Sequence, residues 1–285
     1  METNKRIFII LFLMILITGC YTYRFSEKQF FNNKQGIELD SCYVMEYVFY
    51  RNTENITLEG IIYFNKDATI NVVFFPGISG NLNLYKYLAN TLAQKLNANL
   101  FIPNYRGYGY SEGIPTMKNL ISDTKDQIEY FLNYPKVNRR LPLFIMGHSF
   151  GTNIALESAK MENIKGVILI APFSTNEEVI EHLKKKIVPF YLCPFIRIEP
   201  QERLKNIDNY ELLRVIDKPV LILHGTDDDE LPIWMSEHLV NNLNNNKIEL
   251  IKISGAGHFD IFINQKHSNI FADNICEFIE NVLSN

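Results

Sequence analysis

A serine lies between two glycines at the point where an apolar run of the sequence ends. The run LFIM (143–146) leads into Gly147, and Ser149 and Gly151 complete a G-x-S-x-G pattern. At a strand-to-helix turn, such a serine is held in a strained backbone conformation, and the flanking glycines avoid steric clash. The N-terminus of the following helix carries partial positive charge, which favours a developing alkoxide. The pattern alone also arises by chance, but its placement between a predicted strand and a predicted helix indicates that Ser149 is a nucleophile.

The six histidines of the chain are the candidates for the base that a serine hydroxyl needs. His258 lies in the glycine-rich stretch SGAGHFD (254–260), after the last predicted strand. A loop at this place can carry an imidazole over the edge of a sheet to meet Ser149. Surface, turn or packing roles are expected for His148, His182, His224, His238 and His267. The sequence therefore predicts that His258 is the base.

Acidic residues after another predicted strand are candidates for the group that orients the imidazole and stabilises its cation. The stretch LILHGTDDDELP (221–232) contains Asp227, Asp228, Asp229 and Glu230. The alternatives are a solvated acidic loop or a calcium site, and the lack of a second acidic cluster in the sequence disfavours calcium. A serine, then one of these acids, then a histidine is the chain order of the α/β-hydrolase fold.

From about Val44 to its C-terminus the chain resembles the α/β-hydrolases, close to the serine-aminopeptidase-like and acyl-protein-thioesterase-like branches. In that family the acid commonly stands in an H-G-x-x-D motif with a proline four residues later. This spacing is matched by His224, Gly225, Asp228 and Pro232. The resemblance therefore implies that Asp228 is the acid, with Asp227 as the alternative. It also implies a reaction that needs no metal or cofactor.

The resemblance extends to an oxyanion hole made of two backbone N–H groups. One is implied to be that of Phe150, directly after the nucleophile. The stretch FFPGISGN resembles the family's H-G-x-x-G-N, with Pro76 where histidine is usual, and this match makes Ile78 the second donor. The stretch NYRGYGYSEG resembles a loop that usually reads D-x-R-G-x-G-x-S. It begins at Asn104, where aspartate is common, and we expect this departure to be tolerated.

Strand-like and helix-like segments alternate along the chain and must position these residues. Near-continuous apolar strands between amphipathic helices predict a mostly parallel sheet with helices on both faces, and the resemblance implies the α/β-hydrolase fold. The first two strands have no helix between them, which predicts an antiparallel edge. The predicted strands span 56–64, 70–75, 99–103, 143–146, 167–170, 220–223 and 247–253. The predicted helices span 83–96, 116–134 with Thr116 as N-cap, 152–161, 233–243 and 268–283.

One segment, at about 175–217, interrupts this alternation. Three prolines (Pro189, Pro194 and Pro200) divide it into short pieces. An insertion of this length between two strands is usually functional, so we predict a small helical cap. Its apolar stretch IVPFYLCPFIRI (187–198) suits either an acyl chain of the substrate or packing against the sheet.

Composition and charge restrict the class of protein. Of 285 residues, 47% are apolar and 21% charged, which is typical of a globular chain. The net charge of −4 comes without a basic face, so nucleic acid is not an expected partner. The one basic run, Lys184 to Lys186, is interpreted as a solvated helix face.

The N-terminal residues have the pattern of a bacterial lipoprotein signal peptide. Lys5 and Arg6 precede the apolar run IFIILFLMILI (7–17), which is shorter than the roughly 20 residues of a membrane-spanning helix. The run leads into ITGC, which resembles a lipobox and implies a lipidated Cys20. We therefore expect a signal peptide at 1–19. The alternative is an uncleaved helical anchor in which Cys20 has no role.

This interpretation divides the rest of the chain into a tether at 20–44 and a hydrolase domain at 45–285. The protein is expected to be exported and anchored by its lipid to a bacterial membrane. The remaining cysteines are Cys42, Cys193 and Cys276. Three widely spaced cysteines form neither a disulfide framework nor a metal motif, so free thiols are favoured over one disulfide.

The sequence thus predicts a serine hydrolase that cleaves an ester, thioester or amide through an acyl-enzyme intermediate. A small or acylated molecule is the expected substrate, and the protein is expected to be a monomer. Two alternatives are an inactive hydrolase-fold lipoprotein that binds a ligand, and an acyltransferase. Dehalogenation is disfavoured because it generally uses an aspartate as nucleophile. The natural substrate and its acyl length are not specified by the sequence.

Overall fold

A mostly parallel sheet forms the centre of the protein. The structure is a computed structural model that describes residues 21–25, 45–78, 82–200, 207–243 and 245–284. Within these residues the central sheet has eight strands. They are β2 (Met45–Arg51), β3 (Thr57–Tyr63), β4 (Ile70–Phe75), β5 (Ala98–Pro103), β6 (Leu143–His148), β7 (Ile164–Ile170), β9 (Val220–Gly225) and β10 (Ile248–Ile253). Their spatial order is β10-β9-β7-β6-β4-β5-β3-β2. β3 is antiparallel to both β2 and β5, and the other neighbours are parallel. The sheet thus has an antiparallel edge, but β3 forms it with β2, a strand that was not predicted, and not with β4.

Helices cover both faces of this sheet. They are α1 (Leu82–Lys95), α2 (Met117–Leu132), α3 (Gly151–Ser158), α4 (Asn176–Ile187), α5 (Asn209–Val215), α6 (Trp234–Leu243), α7 (Asp260–Ile263) and α8 (Gln265–Ser284). Each face has its own apolar core, because successive side chains of a strand point to opposite sides. In β4, Val73 and Phe75 belong to the core under α2 and α3, whereas Val72 and Phe74 belong to the core under α1 and α8. The predicted α/β-hydrolase fold is confirmed.

The bounds of the elements follow the apolar pattern of the sequence. β4 has the predicted bounds, and Thr116 caps α2 by accepting a hydrogen bond from the N–H of Asn119. The last helix begins at Gln265 rather than at 268. Its first residues, QKHS, are polar and offered no apolar periodicity by which the start could be located.

The segment between β7 and β9 contains α4, a 3-10 turn (Cys193–Phe195), the short strand β8 (Ile196–Pro200) and α5. β8 pairs in parallel with β1 (Tyr21–Phe25), apart from the central sheet. The chain directly after Cys20 therefore runs beside the predicted cap. The predicted signal peptide, Cys20 and Cys42 lie outside the described residues. In the parts of the chain that the structure describes, no helix is long and apolar enough to cross a membrane, and Cys193 and Cys276 are half-buried free thiols.

A buried carboxylate explains why asparagine is accommodated at position 104. Glu59 on β3 is fully buried and accepts hydrogen bonds from the side-chain amide of Asn104 and from the hydroxyl of Tyr47. Burial raises the pKa of Glu59, and the hydrogen bond from Asn104 partly offsets this rise. An aspartate at position 104 would place a second carboxylate beside that of Glu59, and neither could donate a hydrogen bond to the other. The amide of asparagine is a hydrogen-bond donor and avoids this conflict.

We expect Asn104→Asp to lower the free energy of unfolding at pH 7 by about 3 kcal/mol, because it leaves a buried carboxylate beside a like charge. The two carboxyl groups, that of Glu59 and that of the introduced aspartate, would share a proton whose pKa is raised in the folded state. The loss in the free energy of unfolding should therefore become smaller as the pH falls towards 5. Urea unfolding at both pH values measures this. The double variant Asn104→Asp/Glu59→Gln, which restores one donor and one acceptor, should recover most of the loss. An equal deficit at both pH values would contradict the explanation.

Candidate active site

Ser149 lies in a sharp turn between β6 and α3. Its φ of +53° is in the left-handed region that residues with a side chain rarely adopt. The two glycines of the motif are required by close packing: a Cβ at Gly147 would lie 2.3 Å from the carbonyl oxygen of Gly151. A Cβ at Gly151 would lie 2.1 Å from the carbonyl oxygen of Phe75. The turn thus has the strained geometry predicted from the G-x-S-x-G pattern.

His258 and Asp228 form a buried pair at the same edge of the sheet. His258 follows β10, Asp228 follows β9, and both residues are nearly inaccessible to solvent. Nδ1 of His258 is 2.7 Å from Oδ2 of Asp228. Because a carboxylate only accepts hydrogen bonds, Nδ1 carries the hydrogen, and Nε2 is left as the basic nitrogen of the neutral ring.

The carboxylate of Asp228 is fixed by several further donors. Its Oδ1 accepts the backbone N–H groups of Glu230 and Leu231 at 3.0 and 2.9 Å. Burial alone would raise the pKa of Asp228, but hydrogen bonds from His224 and His258 outweigh burial and hold that pKa well below its usual range. Asp227, the alternative acid, is exposed and accepts a hydrogen bond from the neighbouring Thr226 hydroxyl. Only Asp228 of these two acids contacts His258.

His224 is a member of this site that the sequence analysis missed. We expected a turn role, but the side chain is fully buried, with Nε2 3.3 Å from Oδ2 of Asp228 and 2.7 Å from the carbonyl oxygen of Leu231. Both of these oxygens are acceptors, so Nε2 carries a hydrogen, and Nδ1 accepts from the hydroxyl of Ser236 at 2.6 Å. The H-G-x-x-D motif could have indicated this contact, because its histidine and its aspartate are the two residues that meet here.

His148 connects the loop of His258 to the loop of Ile78 beneath the site. Gly77 N–H donates to Oη of Tyr85 at 2.6 Å, and Oη lies 3.0 Å from Nδ1 of His148. Nε2 of His148 is 3.1 Å from the carbonyl oxygen of His258, so it is the nitrogen that carries the hydrogen. Full burial, reinforced by the nearby charge of His258, lowers the pKa of His148 well below its usual range. This neutral ring matches the packing role expected for His148.

Two tyrosines hold the loop that contains Ile78. Tyr105 donates its hydroxyl to the carbonyl oxygen of Pro76 at 2.7 Å, and Tyr108 donates to that of Ile78 at 3.1 Å. Both belong to the N-Y-R-G-Y-G stretch, and both are buried. The loop is therefore fixed through its backbone carbonyls, which explains why proline is accommodated at position 76.

A cavity of about 390 Å³ opens over these residues, within the size range of small-molecule sites. Ser149, His258 and the two predicted oxyanion residues, Ile78 and Phe150, all contribute to its wall. The rest of the wall is mostly apolar and comes largely from the segment between β7 and β9: Phe173, Asn176, Val179, Leu183, Lys186, Ile187, Ile207, Glu230 and Leu231. The structure thus brings Ser149, His258, Ile78 and Phe150 into one apolar cavity, while Asp228 contacts His258 from outside the cavity wall. Among the described residues, no group of three or more His, Cys, Asp and Glu side chains is arranged to hold a metal ion.

The two charged side chains in the cavity wall, Glu230 and Lys186, are both exposed to solvent. Glu230 is half exposed, and its Oε2 lies 4.0 Å from Nε2 of His258. Lys186 is also exposed, and its Nζ lies 2.9 Å from Oδ2 of Asp229. The interior therefore offers an apolar environment, and the charges lie where solvent screens them.

The sequence is similar to one protein family and to several relatives. The model of the family described as serine aminopeptidase, S33 (Hydrolase_4) matches residues 66–209, about half of the chain. The Salmonella typhi protein YfhR is 28% identical over 231 residues, which are 77% of this chain and 74% of YfhR. The α/β hydrolase domain-containing protein 17B of Xenopus laevis is 31% identical over 194 residues, covering 68% of this chain and 62% of that protein.

Solved structures of hydrolases share the fold. The esterase Pf2001 of Pyrococcus furiosus superposes with a TM-score of 0.68 at 16% identity, covering 87% of this chain and 97% of the esterase. A soluble variant of the monoglyceride lipase of Saccharomyces cerevisiae, in complex with a substrate analogue, gives 0.66 at 18% identity, covering 87% and 99%. At these identities the similarity establishes the fold, and the chemistry has to be argued from the site.

Proposed function

Since this chain belongs to the serine aminopeptidase S33 family of α/β hydrolases, we propose that it is a serine hydrolase with Ser149, His258 and Asp228 as its triad. The observation that carries the proposal is that a strained serine and a histidine bonded to a buried carboxylate line the same apolar cavity. Strained backbone at a non-glycine residue costs free energy and persists mainly where it serves a function.

The first half of the reaction acylates the serine. Ser149 Oγ attacks the carbonyl carbon while Nε2 of His258 takes its proton, and Asp228 stabilises the imidazolium that forms. The carbonyl oxygen becomes an oxyanion, which the N–H groups of Ile78 and Phe150 stabilise by about 3 kcal/mol each. When the tetrahedral intermediate collapses, the imidazolium returns its proton to the leaving group, and the acyl group stays on the serine.

The second half releases the acid. Water enters in place of the leaving group, and His258 Nε2 takes its proton as it attacks the acyl carbon. The same oxyanion donors stabilise the second tetrahedral intermediate. Collapse breaks the ester bond to Ser149, and the serine oxygen recovers the proton from the imidazolium. Apart from the substrate and water, every group that takes part in the two halves is a side chain or backbone N–H of this chain.

The shape and polarity of the cavity support an acylated substrate. Its interior is lined by aliphatic and aromatic side chains, to which Val179 and Leu183 of α4 contribute. The esterase and the monoglyceride lipase that share this fold act on esters, in keeping with their names. The family description names an aminopeptidase, whose substrate amine would need a carboxylate to bind it. Glu230 is the acidic side chain of the cavity wall, and it is exposed to solvent, which weakens an ion pair. We therefore propose an ester or thioester with an apolar acyl group.

A series of p-nitrophenyl esters of increasing acyl length tests this proposal. Each buried CH₂ contributes about 0.8 kcal/mol, so kcat/KM should rise about fourfold per methylene until the cavity is filled. Val179→Trp should shift the optimum to shorter esters, because the indole occupies the cavity. Glu181→Trp is the matched control, since this position on α4 is exposed and outside the cavity wall. A flat length profile, or the same shift in both variants, would contradict an acyl-binding cavity.

We further propose that the protein is anchored by a lipid on Cys20. The support is the lipobox-like ITGC directly after the apolar run. Cys20→Ser removes the acceptor of the lipid, so the variant should move from the membrane fraction to the soluble fraction after cell lysis. Cys42→Ser is the matched control and should stay with the membrane. Persistent membrane attachment of Cys20→Ser would favour the uncleaved helical anchor.

A further inference from the structure

An apolar patch is exposed on the segment between β7 and β9, beside the mouth of the cavity. The patch, here called the cap patch, consists of Leu183, Ile187, Phe190 and Tyr191. Their exposed fractions are 37%, 74%, 86% and 54%. Single exposed apolar residues are common, but a contiguous group of large ones marks an interaction surface. The cap patch therefore indicates a binding partner that has an apolar surface.

The two aromatic rings lie at the tip of a turn that follows α4. The helix ends at Ile187, and the N–H of Leu192 then donates to the carbonyl oxygen of Pro189 at 2.8 Å. This turn places Phe190 and Tyr191 side by side, with ring centroids 5.5 Å apart in an edge-to-face arrangement. The rings thus contact each other while most of the Phe190 surface stays in solvent.

Basic residues adjoin the apolar tip. Lys184, Lys185 and Lys186 form the last turn of α4, next to Ile187. Lys184 and Lys186 also lie near single acidic side chains, at 3.6 Å from Glu181 and 2.9 Å from Asp229. Apolar and aromatic side chains bordered by lysines are the combination that favours the interface of an anionic bilayer, where the apolar groups enter the acyl boundary.

The cap patch is continuous with the active-site cavity. Leu183 and Ile187 contribute to the cavity wall and also belong to the exposed patch, so the cavity and the patch share these two residues. The described strand that directly follows Cys20 in the sequence also lies beside the segment between β7 and β9. β1 starts at Tyr21, one residue after Cys20, and its register with β8 begins at Ile196, shortly after the aromatic tip. A lipid on Cys20 would hold this face of the protein close to the bilayer.

We propose that the cap patch is a membrane-docking surface that inserts Phe190 and Tyr191 into the acyl region of an anionic bilayer. Docking there would let the acyl group of a membrane lipid pass over Leu183 and Ile187 into the cavity without entering water. The docking itself rests on the exposure, charge and position of the patch. The delivery of a lipid substrate rests in addition on the proposed function, so the two are tested separately.

Depth-dependent tryptophan quenching tests the docking. Trp234 is the only tryptophan of the chain, so the full chain with Trp234→Phe gives a silent background. Phe190→Trp then reports on the tip, and Phe49→Trp, on the edge strand β2, is the matched control because Phe49 is also exposed. Both proteins are reconstituted in vesicles of phosphatidylcholine and phosphatidylglycerol with and without bromine on the acyl chains. Bromine quenches only indoles that reach acyl depth.

Phe190→Trp should lose at least half of its fluorescence in brominated vesicles, and Phe49→Trp should be unchanged. If neither protein is quenched although both float with the vesicles, the cap patch does not dock. Blue-shifted but unquenched emission of Phe190→Trp would mean that another segment of the chain, such as the apolar run at 7–17, covers the patch, and this also overturns the proposal. Equal quenching of both proteins would show unspecific adsorption and overturn it as well.

Activity measurements separate substrate delivery from chemistry. Phe190→Ser/Tyr191→Ser should lower the rate on an ester embedded in vesicles at least tenfold and leave the rate on soluble p-nitrophenyl butyrate unchanged. Phe49→Ser should change neither rate. Equal losses on both esters would mean that these residues act on the site and not on delivery. If the unmodified chain hydrolyses neither ester while Phe190→Trp is still quenched, the proposed function fails and the docking surface stands.

Discussion

Ser149→Ala should lower kcat by roughly 10⁶-fold, to the background rate of the ester assay, because it removes the atom that accepts the acyl group in the proposed mechanism. The free energy of unfolding should change by less than about 0.5 kcal/mol. Alanine keeps the Cβ, so the strained φ of +53° costs nearly the same in the variant, and the lost hydroxyl faces the cavity. Loss of activity without loss of stability is the signature of a nucleophile.

A fluorophosphonate probe, followed by peptide mapping, measures this result directly. The adduct should lie on Ser149 and should be lost in His258→Ala, which lacks the base. Ser122→Ala is the matched control, since it makes the same chemical change on the exposed face of α2 and should label like the unmodified chain. A folded chain that forms no adduct would favour the inactive binding protein over the hydrolase.

Asp228→Asn should lower kcat by about 10⁴-fold, although it replaces a single oxygen by nitrogen. The carboxylate holds a hydrogen on Nδ1 of His258. In the proposed mechanism, Nε2 then takes the proton of Ser149. An amide nitrogen in its place would donate to Nδ1 and move the ring hydrogen to Nε2. Nε2 would then carry a hydrogen and could not accept the proton of Ser149. The positions of the side chains would be kept, but His258 could not act as the base.

The same substitution should change how stability depends on pH. Because the pKa of Asp228 is depressed in the folded state, its carboxylate stabilises the fold above the unfolded pKa of about 4, and this contribution is lost as the pH falls through the folded pKa. The stability difference between the unmodified chain and Asp228→Asn should therefore be present at pH 7 and diminish in strong acid. Asp227→Asn is the matched control, since Asp227 is exposed, and it should leave kcat within twofold. A loss in Asp227→Asn as large as that in Asp228→Asn would overturn the assignment of the acid.

Several features of the site were determined by the sequence because they depend on local chemistry. The strained turn at Ser149 needs glycine on both sides, so its motif could be read from adjacent residues. The parallel core strands were recognisable because burial on both faces makes them apolar throughout, and β4, β6 and β9 are buried at every position. The carboxyl ends of such strands meet at one edge, which is why Ser149, Asp228 and His258 could be expected together.

Contacts between residues far apart in the chain could be found only in the folded protein. Asp228 and Asp227 are adjacent in sequence and equal in chemistry, and burial beside His258 distinguishes them. His224 resembled a turn residue until the fold placed it against Asp228. The suitability of Asn104 depends on Glu59, which lies 45 positions earlier and meets it only because β3 pairs with β5. Apolar periodicity records whether a residue is buried, but not which residue it faces, because the partner is set by the packing of the whole sheet.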